Sequence, residues 1–149
     1  MTHPVRVFVY GSLLVAAVLR AVLRRPAALQ AARLDGYARR ALRGSTFPGV
    51  VRRSGGITEG ALALLSVREL RRLDRFEDDH YRRRPVRVTL ADGRRITAQT
   101  YVLERRSRSL LARRDWSPSR LAGGGAARLV RAARAVTAAG QSGKLAWGL

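Results

Sequence analysis

Residues 5–14, VRVFVYGSLL, limit the folds open to this chain more than any other stretch. Val5, Val7 and Val9 alternate with Arg6, Phe8 and Tyr10, the period of a strand with at least one face fully buried. The alternation stops at Tyr10-Gly11-Ser12, and residues 13–24 then carry leucine, alanine and valine, with arginine at 20 and 24. That run reads as a short helix ended by Pro26, with Ser12 as its expected N-cap. A strand, a sharp turn and a helix within the first 25 residues point to a mixed architecture.

The rest of the chain agrees. From Leu34 to Gly56 the pattern is broken by Gly36, Gly44, Pro48, Gly49, Gly55 and Gly56, which predicts brief strands and turns in loop-rich ground. Residues 57–65 recover strand alternation. Ser66 then opens a capping box with Glu69 at the third helical position, predicting a helix from Val67 to about Glu77. RPVRVTL and RRITAQTYVL flank ADGR, a hairpin in which Asp92-Gly93 is expected to supply positive backbone angles. Residues 105–125 are rich in arginine, serine and glycine, and Gly123 to Gly125 read as a flexible joint. A last helix is expected from about Ala126 to Ala139, with Trp147 as a residue that docks on the body. No internal repeat is visible.

Composition narrows the chemistry. At 149 residues, 46% of them hydrophobic, the chain suits one globular domain with its own core. It has no cysteine, which excludes disulfides, thiolate nucleophiles and cysteine metal sites and fits a reducing cytoplasm. The formal charge is +20, yet the arginines are spread through every segment and Lys144 is the one lysine. A nucleic-acid footprint is usually clustered and interleaved with stacking aromatics, so no specific nucleic-acid partner is expected. The first twenty residues lack the charge pattern and small-residue cleavage site of a signal peptide. No stretch approaches the roughly 18 uncharged apolar residues of a membrane span, so no membrane association is expected.

Candidate catalytic groups are few. The phosphate-binding glycine motifs and the nucleophile-elbow motif are absent, and the two histidines are His3 and His80. His80 beside Glu77, Asp78 and Asp79 reads as a solvated acidic loop, since a dedicated metal site needs three or four convergent ligands. Projected onto a helix, Glu77 falls in the apolar arc of Val67, Leu70 and Leu73, while Arg68, Arg71, Arg72 and Arg75 take the opposite arc. Burial and the negative helix end both disfavour the ionised carboxylate, which suits a base working near neutrality. The competing reading is that Glu77 pairs with a neighbouring arginine or lies in solvent. At Tyr10-Gly11-Ser12-Leu13-Leu14 a glycine lets the chain turn sharply, and the amides that follow form a nest for a small carboxylate. An ordinary capped turn explains the same residues.

Taken in order, VFVYGSLL at 7–14, LDGY at 34–37, FPGVV at 47–51, TEGALALLS at 58–66, LRRLDRFEDDHYRRRPVRVTL at 70–90 and AQTYVL at 98–103 resemble the γ-glutamylcyclotransferase-like superfamily, in particular its compact AIG2-like branch. The LDRFE and YRR segments match that family's L-D-x-F-E followed by Y-x-R-x-x-V-x-V. The resemblance implies an α+β fold, a small mixed domain with a largely closed, barrel-like sheet flanked by helices and a cavity at one mouth. It implies a domain over 1–104, with 105–149 as an Arg/Gly/Ala-rich extension. It further implies that Glu77 is the catalytic acid/base, and that Tyr10, Gly11, Ser12 and Leu13 bind the amino-acid head of a γ-glutamyl compound. Tyr81 and Arg83 would be wall residues of the same site. The implied reaction converts a γ-glutamyl-amine or γ-glutamyl amino acid to 5-oxoproline, with no cofactor and no metal, in a monomer or homodimer. Two alternatives stay open: a non-catalytic small-carboxylate-binding module of the same fold, and a basic RNA-associated protein.

Overall fold

The computed structural model describes residues 3–45, 47–77, 79–117, 127–131 and 133–134. Five strands form a closed barrel in the order β1 (Val5–Val9), β3 (Pro48–Leu65), β2 (Gln30–Ala41), β4 (Tyr81–Leu90), β5 (Arg95–Leu103). The β1–β5 pair that closes it is parallel, with Val7 opposite Gln99, and the other pairings are antiparallel. This is the small mixed α/β barrel expected from the sequence.

The period-2 pattern of β1 divides the core. Phe8 and Tyr10 join Ala32, Leu34, Val50, Leu62, Val86 and Val88 in a cluster drawn from the strands and the residue that follows β1. Val7 and Val9 face the other way and pack with α1 (Ala16–Leu23) and α2 (Val67–Phe76) through Val18, Leu19, Val22, Leu70, Leu73 and Phe76. Both faces of β1 are thus buried, and its last residues must carry the chain out of the barrel end between the two clusters.

The region from Leu34 to Gly56 departs from the expectation of brief broken strands. It belongs to one long hairpin, β2 with β3, paired from Gln30↔Leu62 to Ala41↔Pro48 with one register shift between Asp35 and Tyr37. Gly36, at φ 82°, sits in that shift. Here glycine marks a register shift within a long hairpin, not a strand end.

Three smaller corrections concern element ends. Ser12 does not cap a helix. It begins a single 3-10 turn, Ser12–Leu14, closed by Leu14 N–H to Gly11 C=O at 2.9 Å and Val15 N–H to Ser12 C=O at 3.0 Å, and α1 starts only at Ala16 without a side-chain cap. The tight turn lets Leu13 reach the core. Glu77 is not helical: α2 ends at Phe76, and Glu77 caps it in extended conformation at φ −70°, ψ 145°. In the ADGR turn only Gly93, at φ 88°, is left-handed. Its N–H bonds Leu90 C=O, and Leu90 N–H bonds Arg94 C=O, so a three-residue loop with a glycine bulge makes the hairpin.

The capping box forms as the sequence predicts, Ser66 Oγ accepting from Glu69 N–H at 3.1 Å and Glu69 Oε1 from Ser66 N–H at 2.9 Å. Glu69 also takes a forked bond from Arg25, at 2.5 and 3.0 Å, which ties the end of α1 to the start of α2. After β5 a 3-10 helix, Arg105–Leu110, leads to residues 111–116, which run beside the end of β2. There Ala41 N–H bonds Arg114 C=O, Ala112 N–H bonds Ala41 C=O, and Leu42 and Leu111 form a bridge. Trp116 is buried, as are Leu129 and Ala133 from the helical residues 127–131 and 133–134. Gly123 to Gly125, Trp147 and Asp78 lie outside the described residues. No helix among the described residues is long and apolar enough to cross a membrane.

Candidate active site

The chain leaving β1 and the chain leaving α2 meet at one pocket. Its walls are Phe8 to Leu13 from β1 and the turn, Phe47 and Pro48 from the start of β3, Phe76 and Glu77 from the end of α2, and Tyr81 and Tyr101 from β4 and β5. The space between these walls is open to solvent. Among the described residues its one carboxylate is Glu77, and no arginine lines it, although the chain carries 30 basic residues.

Each wall is placed by a local device. α2 closes on Leu73 C=O through the Glu77 N–H at 3.0 Å, and the switch from helical to extended backbone there turns Glu77 into the pocket. Gly11 is required by close approach: a Cβ built on it would lie 2.8 Å from Pro48 Cγ. The glycine of the YGS turn therefore serves contact with a residue of the β2–β3 hairpin. Tyr81 Oη donates to Pro48 C=O at 2.5 Å, holding that same residue from β4.

The three tyrosines are fixed by acceptors. Tyr10 Oη donates to Tyr101 C=O, and Tyr101 Oη donates to Asp74 Oδ1 at 2.5 Å. Burial, and then the nearby Glu77 carboxylate, pushes the Tyr10 hydroxyl well above its ordinary pKa. Burial, the bond to Asp74 and the field of Glu77 raise Tyr101 in the same way. Both phenols are therefore protonated at neutral pH, and Glu77 lies close enough to influence both.

Six of the seven residues singled out from sequence, Tyr10, Gly11, Ser12, Leu13, Glu77 and Tyr81, line this pocket. Arg83 does not. Its Nε and Nη2 bond Asp74 at 2.9 and 3.2 Å, and Asp74 in turn holds Tyr101. The Asp of LDRFE and the second Arg of YRR are thus partners of each other, one layer behind the wall. Sequence reasoning missed Phe8, Val9, Phe47, Pro48, Phe76 and Tyr101 as wall residues. Phe47, Pro48 and Tyr101 stand in segments already noticed, FPGVV and AQTYVL, but nothing local says that these segments meet. His80, expected in a solvated loop, bonds Ser107 Oγ through Nδ1 at 2.7 Å.

Comparison with known proteins gives a consistent picture. The family described as "Gamma-glutamyl cyclotransferase, AIG2-like" matches residues 7–118. Among curated proteins, "AIG2-like protein D" of Arabidopsis thaliana is 34% identical over 99 residues, 64% of this chain and 65% of that protein. "Protein AIG2 C" of the same plant is 37% identical over 98 residues, 64% of this chain and 59% of that protein. The chain thus spans less than two thirds of the length of the curated relatives it matches. Among solved structures, a solution structure from Arabidopsis thaliana superposes with a TM-score of 0.69 at 27% identity, covering 94% of this chain and 86% of the other. A structure titled "Gamma-glutamyl cyclotransferase" superposes with a TM-score of 0.58 at 20% identity, covering 68% of this chain and 67% of the other, a likeness of fold.

Proposed function

The chain belongs to the gamma-glutamyl cyclotransferase, AIG2-like family, and we propose that it is an enzyme converting a γ-glutamyl-amine or γ-glutamyl amino acid to 5-oxoproline and the free amine. The observation that carries this reading is the meeting of Glu77 and the Tyr10–Leu13 turn in one pocket, although 64 or more residues separate them in sequence.

In this mechanism the backbone amides of Gly11, Ser12 and Leu13 hold the α-carboxylate of the γ-glutamyl head. Glu77 takes a proton from the α-ammonium, and the freed amine attacks the γ-carbonyl carbon. A carbon–nitrogen bond forms and closes the five-membered lactam. Glu77 passes that proton to the amide nitrogen, the original amide carbon–nitrogen bond breaks, and the second proton lost by the ring nitrogen follows through Glu77 to the released amine, which leaves as an ammonium. Atoms and charge balance with no further reactant. Both reacting groups belong to one molecule, so the protein's contribution is orientation and proton transfer, and holding an intramolecular attack in line is worth several orders of magnitude. Tyr10 and Tyr81 act as walls whose hydroxyls are already committed to the protein, which keeps the pocket shape fixed.

The test uses purified protein and Glu77→Gln with a panel of γ-glutamyl-amines and γ-glutamyl amino acids, following 5-oxoproline by mass spectrometry. Wild type is expected to form product, with kcat reduced about 10²–10⁴-fold in the folded variant. Comparable rates in the two proteins would remove Glu77 from the chemistry. No product from wild type, with 5-oxoproline still bound, would leave a carboxylate-binding module.

A further inference from the structure

Behind the Tyr10–Gly11 turn lies a side chain that touches neither the pocket nor bulk water to any great extent. Arg39, on β2, donates from Nη1 to the Tyr10 carbonyl oxygen at 3.0 Å. Its Nε faces Asp115 Oδ1 at 3.3 Å, and the side chain is only 16% exposed. Its guanidinium carbon lies 5.6 Å from the centre of the Trp116 ring. Trp116 is 1% exposed, and its backbone N–H donates to Asp115 Oδ1 at 2.7 Å. Residues 111–116, already strapped to the end of β2, thus hold Arg39 from two sides, by an ion pair and by stacking over an aromatic face.

A trans peptide unit is planar, with its C=O and N–H pointing in opposite directions, and the structure has no cis peptide bonds. With the Tyr10 carbonyl turned to Arg39, the Gly11 N–H of the same unit points away from Arg39. Tyr10 and Gly11 line the pocket and Arg39 does not. Rotation of this unit would present a carbonyl oxygen to the ligand in place of an amide, and a carbonyl repels an anion. A glycine offers little steric resistance to that rotation. The hydrogen bond from Arg39 Nη1 to the Tyr10 carbonyl opposes it.

We propose that Arg39 is a positioning residue. By fixing the Tyr10 carbonyl it sets the Gly11 amide toward the substrate carboxylate, and the strap at 111–116, through Asp115 and Trp116, sets Arg39. The carboxylate end of the substrate is therefore governed by residues that follow the barrel in sequence and never touch the ligand. This inference rests on the reading that the turn takes a carboxylate.

Arg39→Met keeps the stem against Trp116 and removes the donor and the charge, whereas Arg39→Lys keeps a cation that can donate to the carbonyl. With a γ-glutamyl substrate turned over by wild type, Arg39→Met is expected to raise KM about tenfold, the effect of losing one charge-assisted hydrogen bond, with kcat within about threefold. Arg39→Lys should recover most of that loss. The binding of 5-oxoproline, followed by calorimetry, should weaken in parallel with KM, a readout independent of turnover. KM unchanged in both folded variants, an equal fall in kcat for both, or a Lys variant as impaired as the Met variant would overturn the inference while leaving the reaction intact. Wild type that neither turns over the panel nor binds 5-oxoproline would overturn the functional reading and this inference with it.

Discussion

Replacing Gly11 with alanine places a methyl carbon 2.8 Å from Cγ and 3.1 Å from Cδ of Pro48, where ordinary contact begins at 3.4 Å. One side must give by about 0.6 Å. Pro48 is the stiffer partner: its ring is rigid, it pairs with Ala41 in the β2–β3 ladder, and its carbonyl is held by Tyr81. The turn therefore moves, carrying with it the amides of Ser12 and Leu13. Displacements approaching 1 Å at a positioning group cost up to about 10²-fold in rate, and forcing a methyl into a packed contact costs about 1–3 kcal/mol in stability. Gly11→Ala is expected to lower kcat/KM for 5-oxoproline formation by about 10–100-fold and to lower the urea midpoint measurably. Pro48→Ala removes the two ring carbons in question, so the double variant should run within about threefold of Pro48→Ala alone. That non-additivity isolates the contact. An activity of Gly11→Ala within twofold of wild type, or an equal loss in both backgrounds, would show that the glycine is there for some other reason.

Two further outcomes follow from ion pairs on either side of the site. The Arg25 bond holds the Glu69 carboxyl below the usual range, so its stabilisation is present above the ordinary carboxylate pKa, about 4.3, and is lost as pH falls through the lower folded value. Gln can still complete the capping box, and Arg25 is 43% exposed. Glu69→Gln should therefore cost only about 1 kcal/mol at pH 7, a fall of about 4 °C in Tm, and the gap from wild type should close in thermal melts taken near pH 3. A gap of the same size at both pH values would refute the assignment. The fork of Arg83 is spent on Asp74, so Arg83→Met should lower kcat/KM less than tenfold in the 5-oxoproline assay. A hundredfold loss would place the guanidinium on the substrate instead.

Local pattern by itself determined much of this protein. The period-2 run of β1, the Ser66–Glu69 capping box and the glycine of the Gly93 hairpin each express an interaction among residues a few positions apart, and each formed where the sequence put it. The apolar arc of α2 put Leu70 and Leu73 on the core side, but Glu77, projected onto the same arc, lies past the helix end and reaches the pocket from extended backbone; the motif order, read against a known family, implied the barrel. Only the tertiary structure decided what those pieces face. Gly36 and Gly55 looked like strand ends because a glycine in a register shift and a glycine in a loop are locally alike, and only the pairing of β2 with β3 on both sides of the shift tells them apart. Pro48 against Gly11, Tyr101 beside Glu77, and Arg39 beneath Tyr10 join residues 24 to 37 positions apart. Such contacts leave no period or spacing in the sequence, because they exist only once the sheet closes on itself and brings the ends of different strands to one mouth.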